Sequence, residues 1–173
     1  MTEIMQAVIL SFLMWAGVDV QMAMTGQWVG VLEYRDYSEP AGSAKRVKLP
    51  TWLAVEAAGP DLKFRYVYDD GPTKTVTEVA TVHVDEAAGT YVVTDAKGKP
   101  ETSRVAGMEK LKEGRGTLVL SGTGQENGAP VEVRTTLRVG RNILEITRET
   151  AEAGKPFTFR HSYTMVRAAV PKI

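Results

Sequence analysis

The 173-residue chain contains no cysteine. That absence removes disulfides, thiolate nucleophiles, Cys-ligated zinc and lipid attachment through an N-terminal cysteine. It leaves the compartment open, because an exported domain needs no disulfide. An excess of charge of one sign is lacking as well. Lys and Arg number 21 and so do Asp and Glu, so there is no basic footprint for nucleic acid or for an acidic membrane surface. Histidine is scarce, with only His83 and His161. No internal repeat and no low-complexity linker divide the chain, which at this length reads as one domain with ample residues for a core. Long connections between candidate strands are missing too. Parallel neighbours need crossovers of about a dozen residues or more, so the strands must run antiparallel.

The first feature present is apolar. Ile4 to Val18 is an uncharged run ending at Asp19. It is short for a membrane-spanning helix and fits the apolar centre of an export signal. Glu3 stands where a signal carries Lys or Arg, and the small-x-small pattern near Gln21-Met22-Ala23 is imperfect. The expected organisation is a signal peptide or apolar N-terminal helix over 1–24, a barrel over 25–167 that does not include that segment, and a tail over 168–173. The expected location is periplasmic or secreted, or cytoplasmic if Met24 is the true start. A membrane partner is expected only if the segment is retained.

From Trp28 the side chains alternate, with Trp28, Gly30, Leu32 and Tyr34 on one face and Val29, Val31, Glu33 and Arg35 on the other. That period of two marks a strand with one buried face. Gly26 permits a bend at the strand's entry, the Trp28 indole fills space between sheet layers, and Gly30 leaves room for it. Arg46 to Ala57 is the second strand, and its Pro50 implies an edge, a bulge or a sharp bend. Leu62 to Tyr68 shows the cleanest alternation, followed by an Asp69-Asp70-Gly71-Pro72 turn into Thr75 to Asp85. Shorter runs follow at Thr90 to Asp95 and Thr102 to Ala106, then a helical turn over Met108 to Glu113 and a strand from Thr117 to Gly122. Asn127-Gly128 signals a tight hairpin. Val131 to Val139, Ile143 to Thr150 and Phe157 to Arg167 finish the series. The fold class is all-β: a single up-and-down antiparallel β-barrel of about ten strands, closed so that no edge is left open.

The Thr25-Gly26-Gln27-Trp28 opening, set directly ahead of this meander, resembles the start of the calycins: lipocalins, fatty-acid-binding proteins and related lipocalin-like domains. The resemblance covers most of Thr25 to Arg167. It departs from lipocalins in lacking their late helix and from fatty-acid-binding proteins in lacking two helices after the first strand. His161-x-Tyr163 stands where the latter carry Arg-x-Tyr, with Arg160 one position off. The chain is most similar to the helix-poor, ten-stranded lipocalin-like type, which includes the haem-binding nitrobindins. The resemblance implies a small-molecule cavity, with haem on His161 as an alternative to the expected absence of a cofactor.

Taking the more apolar parity of each strand as interior puts Leu53, Phe64, Val82, Tyr91, Leu118, Leu137, Leu144, Phe157, Phe159 and Met165 inside with Trp28. Glu78, Arg148, His161 and Tyr163 share those parities. A mostly apolar pocket with a few convergent polar groups is the usual small-molecule site. The candidate ligand-binding residues are therefore Tyr34, Tyr66, Tyr68, Glu78, Arg148, His161 and Tyr163, with Gly26 and Trp28 structural and no catalytic or metal-ligating residue assigned. Glu78 and Arg148 are also readable as a structural ion pair or as residues of the opposite parity, and Arg148 as stacking over Trp28 to close the barrel floor, as a basic residue does in many lipocalins. His161 is also readable as a hydrogen-bonded wall residue, and His83 faces water on the opposite parity.

The leading expectation is non-catalytic binding of a small apolar or amphipathic molecule. The alternatives are a barrel isomerase or cyclase using Glu78 or His161 as acid-base, and a filled barrel with a structural or partner-binding role. Gly122 to Gly128 superficially resembles a nucleotide loop, but it leads into a strand and offers no helix N-terminus to phosphate.

Overall fold

A computed structural model describes residues 16–40, 43–111 and 114–169. Most of the N-terminal apolar run (up to residue 15), the end of the predicted helical turn (112–113) and the last four residues of the tail lie outside the described residues. The element order is α1 (Ala16–Met24), β1 (Gly26–Arg35), β2 (Arg46–Ala58), β3 (Asp61–Asp69), β4 (Thr75–Asp85), β5 (Thr90–Asp95), β6 (Pro100–Ala106), a 3-10 turn (Met108–Lys110), β7 (Gly116–Glu126), β8 (Ala129–Val139), β9 (Ile143–Ala151) and β10 (Thr158–Arg167). Each strand pairs antiparallel with its sequence neighbours, and β10 returns to β1 to close the barrel. Closure follows from the short connections: each hairpin forces the next strand alongside the last, and β1–β10 pairing satisfies the two edges that would otherwise stay open.

The interior parity holds along most strands. Trp28, Leu53, Leu118, Leu137, Leu144 and Met165 are each no more than 1% exposed, and they form one core with Val55, Phe64, Val82 and Tyr91. Of the three options raised by Pro50, the structure takes the edge. β2 pairs with β1 along its whole first half, but with β3 only from Thr51 onward. The residue without an N–H therefore stands just past the last β2–β3 pair, Thr51–Tyr68, where no donor to β3 is required.

Two interior assignments are corrected. The β9–β10 register shifts between Phe159 and His161, so an extra residue, Arg160, bulges there. A bulge of one residue reverses the facing of everything beyond it. Phe159 consequently pairs with Glu149 and lies under the Arg46 guanidinium, 4.7 Å from its ring centre. Phe157 precedes the strand and stacks against Arg134 at 4.2 Å.

The described part of the N-terminal segment is a helix packed on the apolar end of the barrel. α1 contributes Val20, Ala23 and Met24 to the barrel core. The end of the barrel where β1 begins and β10 finishes is thereby closed, and we call it the floor. The Trp28 indole N–H donates to the Met24 carbonyl at 2.9 Å, and the Gln21 amide donates to the Pro60 carbonyl at 2.7 Å. The basic residue over Trp28 is Arg167, its guanidinium carbon 4.2 Å from the ring centre, and not Arg148. Arg167 also donates to the carbonyls of Ala23, Thr25 and Arg141, answering the unpaired carbonyls at the end of α1. Gly26 sits at φ +137, and a Cβ there would come within 2.3 Å of the Arg167 guanidinium. The residue at the strand's entry is thus glycine for its backbone angle and for the arginine that crosses it.

Candidate functional site

Above this packed floor, side chains no longer fill the barrel. A cavity of about 240 Å³ remains, its inner wall made by Phe64, Val82, Leu120 and Leu137 and its outer wall by Tyr66, Tyr68, Glu78, Glu101, Arg148, His161 and Tyr163. Larger depressions, of about 530 and 450 Å³, are open grooves on the outside of the barrel. The cavity lies beside the thinnest stretch of wall. β5 and β6 are short, β4 pairs with β5 only from Ala80 onward, and β6 meets β7 through three residue pairs. Glu78 and Glu101 both belong to the segments left without a partner on that side.

Six of the seven predicted ligand-binding residues come together here. Tyr34 does not: it points to the same face, opposite His161 in the β1–β10 register, but stands at the rim outside the cavity lining. Tyr66 and Tyr68 succeed each other on one face of β3 and stack nearly parallel, 5.9 Å apart at 5°. Tyr163 of β10 lies 5.2 Å from Tyr66. The Tyr68 hydroxyl donates to Glu78 Oε2 at 3.1 Å and meets the Tyr163 hydroxyl at 3.0 Å. Burial is the chief cause that raises the ionisation of these phenols, with the Glu78 charge adding to it; Tyr163 is pushed up to about 12. All three are therefore neutral donors at neutral pH.

The predicted Glu78–Arg148 pair does not form. Arg148 instead holds Glu101 with two parallel hydrogen bonds, of 2.7 and 3.1 Å. The guanidinium reaches from β9 past β8 and β7 to β6, and the inward positions on β7 that it passes are glycines. A Cβ on Gly124 would lie 3.9 Å from Arg148 Nη2, and one on Gly122 would lie 3.1 Å from Ser103 Oγ. Glu101 lies one residue outside the strand that the sequence predicts from Thr102. Its signal was available: it stands opposite the inward-facing Val93 in the β5–β6 pairing, so it shares the interior parity.

His161 packs edge-on to Tyr163, ring centres 5.7 Å apart, and among the described residues its ring nitrogens have no hydrogen-bond partner. Burial lowers its pKa to about 4, helped by the Arg148 and Arg160 charges and opposed by Glu101. The other histidine, His83, is at the surface and bonds Asp61 at 2.6 Å.

This depressed pKa sets a pH dependence. The unfolded chain takes up the His161 proton near 6.5, whereas the folded chain resists until about pH 4. Unfolding therefore binds protons in that interval, and stability falls as pH drops from about 6.5 towards 4, by at most about 3 kcal/mol. Below pH 4 this contribution is fully lost. Urea midpoints between pH 4 and 7 should show the slope, and a His161→Gln variant should flatten it; an equal slope in both proteins refutes the assignment. The His161 NMR titration should move down in Glu101→Gln and up in Arg148→Met.

The haem alternative raised by the sequence requires His161 to face an iron. An imidazole with free nitrogens suits the ligation chemistry. The space does not suit the ring: His161 has Tyr34 and Arg148 as cross-strand neighbours, and about 240 Å³ is below the ~300–1,000 Å³ of ordinary small-molecule sites. A porphyrin does not fit this cavity.

A second charged group lies at the rim. Glu126 accepts from Arg35, Arg160 and the Thr150 hydroxyl. Tyr37 lies between the Arg35 and Arg160 guanidiniums at 4.7 and 4.9 Å. These contacts tie the β1–β2 connection to the β10 bulge.

No family model matches the chain, and no curated protein matches it in sequence. Among solved structures it is similar to the crystal structure of Rv2717c from M. tuberculosis, with a TM-score of 0.59 and 12% identity, covering 88% of this chain and 98% of that one. At that identity the likeness is one of fold: a closed ten-stranded antiparallel barrel, compatible with lipocalin-like barrels in general.

Proposed function

We propose that the chain is a lipocalin-like binding barrel of the helix-poor type, which takes up one small amphipathic molecule in its cavity and performs no covalent chemistry on it. The observation that carries this reading is the change of lining along the barrel axis. The lower half is filled by Trp28, Met24, Leu53 and Met165, while the upper half keeps a void with an apolar inner wall and polar groups towards the opening. A barrel filled throughout by its own side chains has no such void, so the structural alternative is less well supported. The enzyme alternative asks for a shifted acid-base group. His161 is shifted, but downward, which makes it a weak base at neutral pH, and Glu78 is exposed.

The test is native mass spectrometry of the full chain purified from its own source. A retained small molecule, released on denaturation, is the expected result. The cavity-filling variant Ala80→Phe should fold and lose it. A bare mass for the wild type, combined with failure to bind any small aromatic probe, overturns the reading.

A further inference from the structure

We infer that the cavity selects a small organic cation, an ammonium group carrying an apolar or aromatic body, over a carboxylate of the same shape. This rests on the reading of the cavity as a ligand site and names the class of ligand.

The argument begins with the charges that face the void. They are Glu78, Glu101 and Arg148; His161 is neutral. Arg148 spends its two terminal nitrogens on both oxygens of Glu101, so those two charges cancel. Glu78 has no cationic partner among the described residues, and the hydrogen bond it accepts comes from the neutral Tyr68 hydroxyl. The lining therefore carries one uncompensated negative charge.

Hydrogen-bond accounting points the same way. A phenol has one proton to give, and Tyr68 gives its own to Glu78. At the 3.0 Å contact between the two hydroxyls, the donor must then be Tyr163. The chain of protons runs from Tyr163 through Tyr68 to Glu78, which leaves the Tyr163 oxygen able only to accept. A ligand meeting this corner must bring N–H or O–H donors or a diffuse positive charge.

The third observation is aromatic. Tyr66, Tyr68 and Tyr163 sit within 6.5 Å of one another, centre to centre, and all three line the void. Faces of neutral phenol rings attract a cation held within about 6 Å. An anion at the same place meets those faces and Glu78, and the guanidinium it needs is already bound on both arms. The Glu101–Arg148 pair carries no net charge and suits the uncharged part of the ligand.

The experiment is isothermal titration calorimetry of the full chain at pH 7 with three probes of similar size: benzyltrimethylammonium, benzyl alcohol and phenylacetate. The ammonium should bind at least tenfold more tightly than the alcohol, with phenylacetate weakest. Glu78→Gln, checked for folding by circular dichroism, should bring the ammonium to within about threefold of the alcohol. Tyr66→Leu should weaken the ammonium more than the alcohol. Binding in which phenylacetate or the alcohol equals the ammonium, or an ammonium preference that survives Glu78→Gln, overturns the inference and leaves the cavity reading standing. No binding of any probe to the wild type overturns both.

Discussion

A Gly30→Ala variant is expected to lose at least about 3 kcal/mol of folding stability, the upper end of the usual cost of over-packing. The sign makes this informative. Alanine in place of glycine inside an ordinary strand stabilises, by roughly 0.5–1 kcal/mol, because the unfolded chain loses freedom. Position 30 reverses that because of what lies opposite. A Cβ there would come within 2.0 Å of the Thr164 carbonyl oxygen and 2.8 Å of the Met165 Cα. Both are backbone atoms of β10, which β9 fixes from its other side through the Met165–Leu144 and Tyr163–Ile146 pairs. No rotamer change relieves the clash, so β1 and β10 must separate, and theirs is the pairing that closes the barrel. Urea denaturation followed by circular dichroism measures the loss. A variant as stable as the wild type would show that the seam tolerates a side chain and that the tight closure is not required.

That result also corrects the sequence reading of the same residue. The sequence sets Gly30 beside Trp28 and suggests room for the indole. In the structure it is room for the neighbouring backbone. The difference illustrates what one chain can reveal. Periodicity of two, turn residues and connection length are local, and they were enough to give the antiparallel meander, its closure and most of the inward faces. The Asn127-Gly128 hairpin appears where the dipeptide placed it, both residues at positive φ. What stayed hidden depended on register between distant strands. The bulge at Arg160 leaves no compositional mark, yet it turns Phe159 outward. Choosing partners among charged side chains failed for the same reason: Glu78, Glu101 and Arg148 share a face, but which carboxylate the guanidinium reaches depends on how β6, β7, β8 and β9 line up across the wall. Likewise the basic residue over Trp28 is Arg167, because it is the cross-strand partner of Trp28 in β1–β10, a pairing 139 positions removed in sequence that only barrel closure creates.

Truncating Trp28 itself is expected to have the largest effect of any single side-chain deletion. Trp28→Ala removes a ring that is 1% exposed, and large-to-small changes of buried aromatics cost about 3–5 kcal/mol. Two further losses add to this. The Met24 carbonyl loses the indole N–H at 2.9 Å, leaving an acceptor at the end of α1 unpaired at a cost of roughly 1–3 kcal/mol if it stays buried. Arg167 loses the face over which it lies, an interaction of about 0.5–2 kcal/mol. Against a total stability typically of about 5–15 kcal/mol, the sum is a large fraction of what keeps the chain folded. Trp28→Phe separates the parts: it keeps a ring under the guanidinium and deletes the hydrogen bond. Combining each substitution with Arg167→Met in a double-mutant cycle isolates the stacking contribution. The floor is one unit only if the two residues couple. A cycle energy near zero, or a Trp28→Ala variant destabilised by less than about 1.5 kcal/mol, would mean that α1 and β10 seal the barrel without the indole between them.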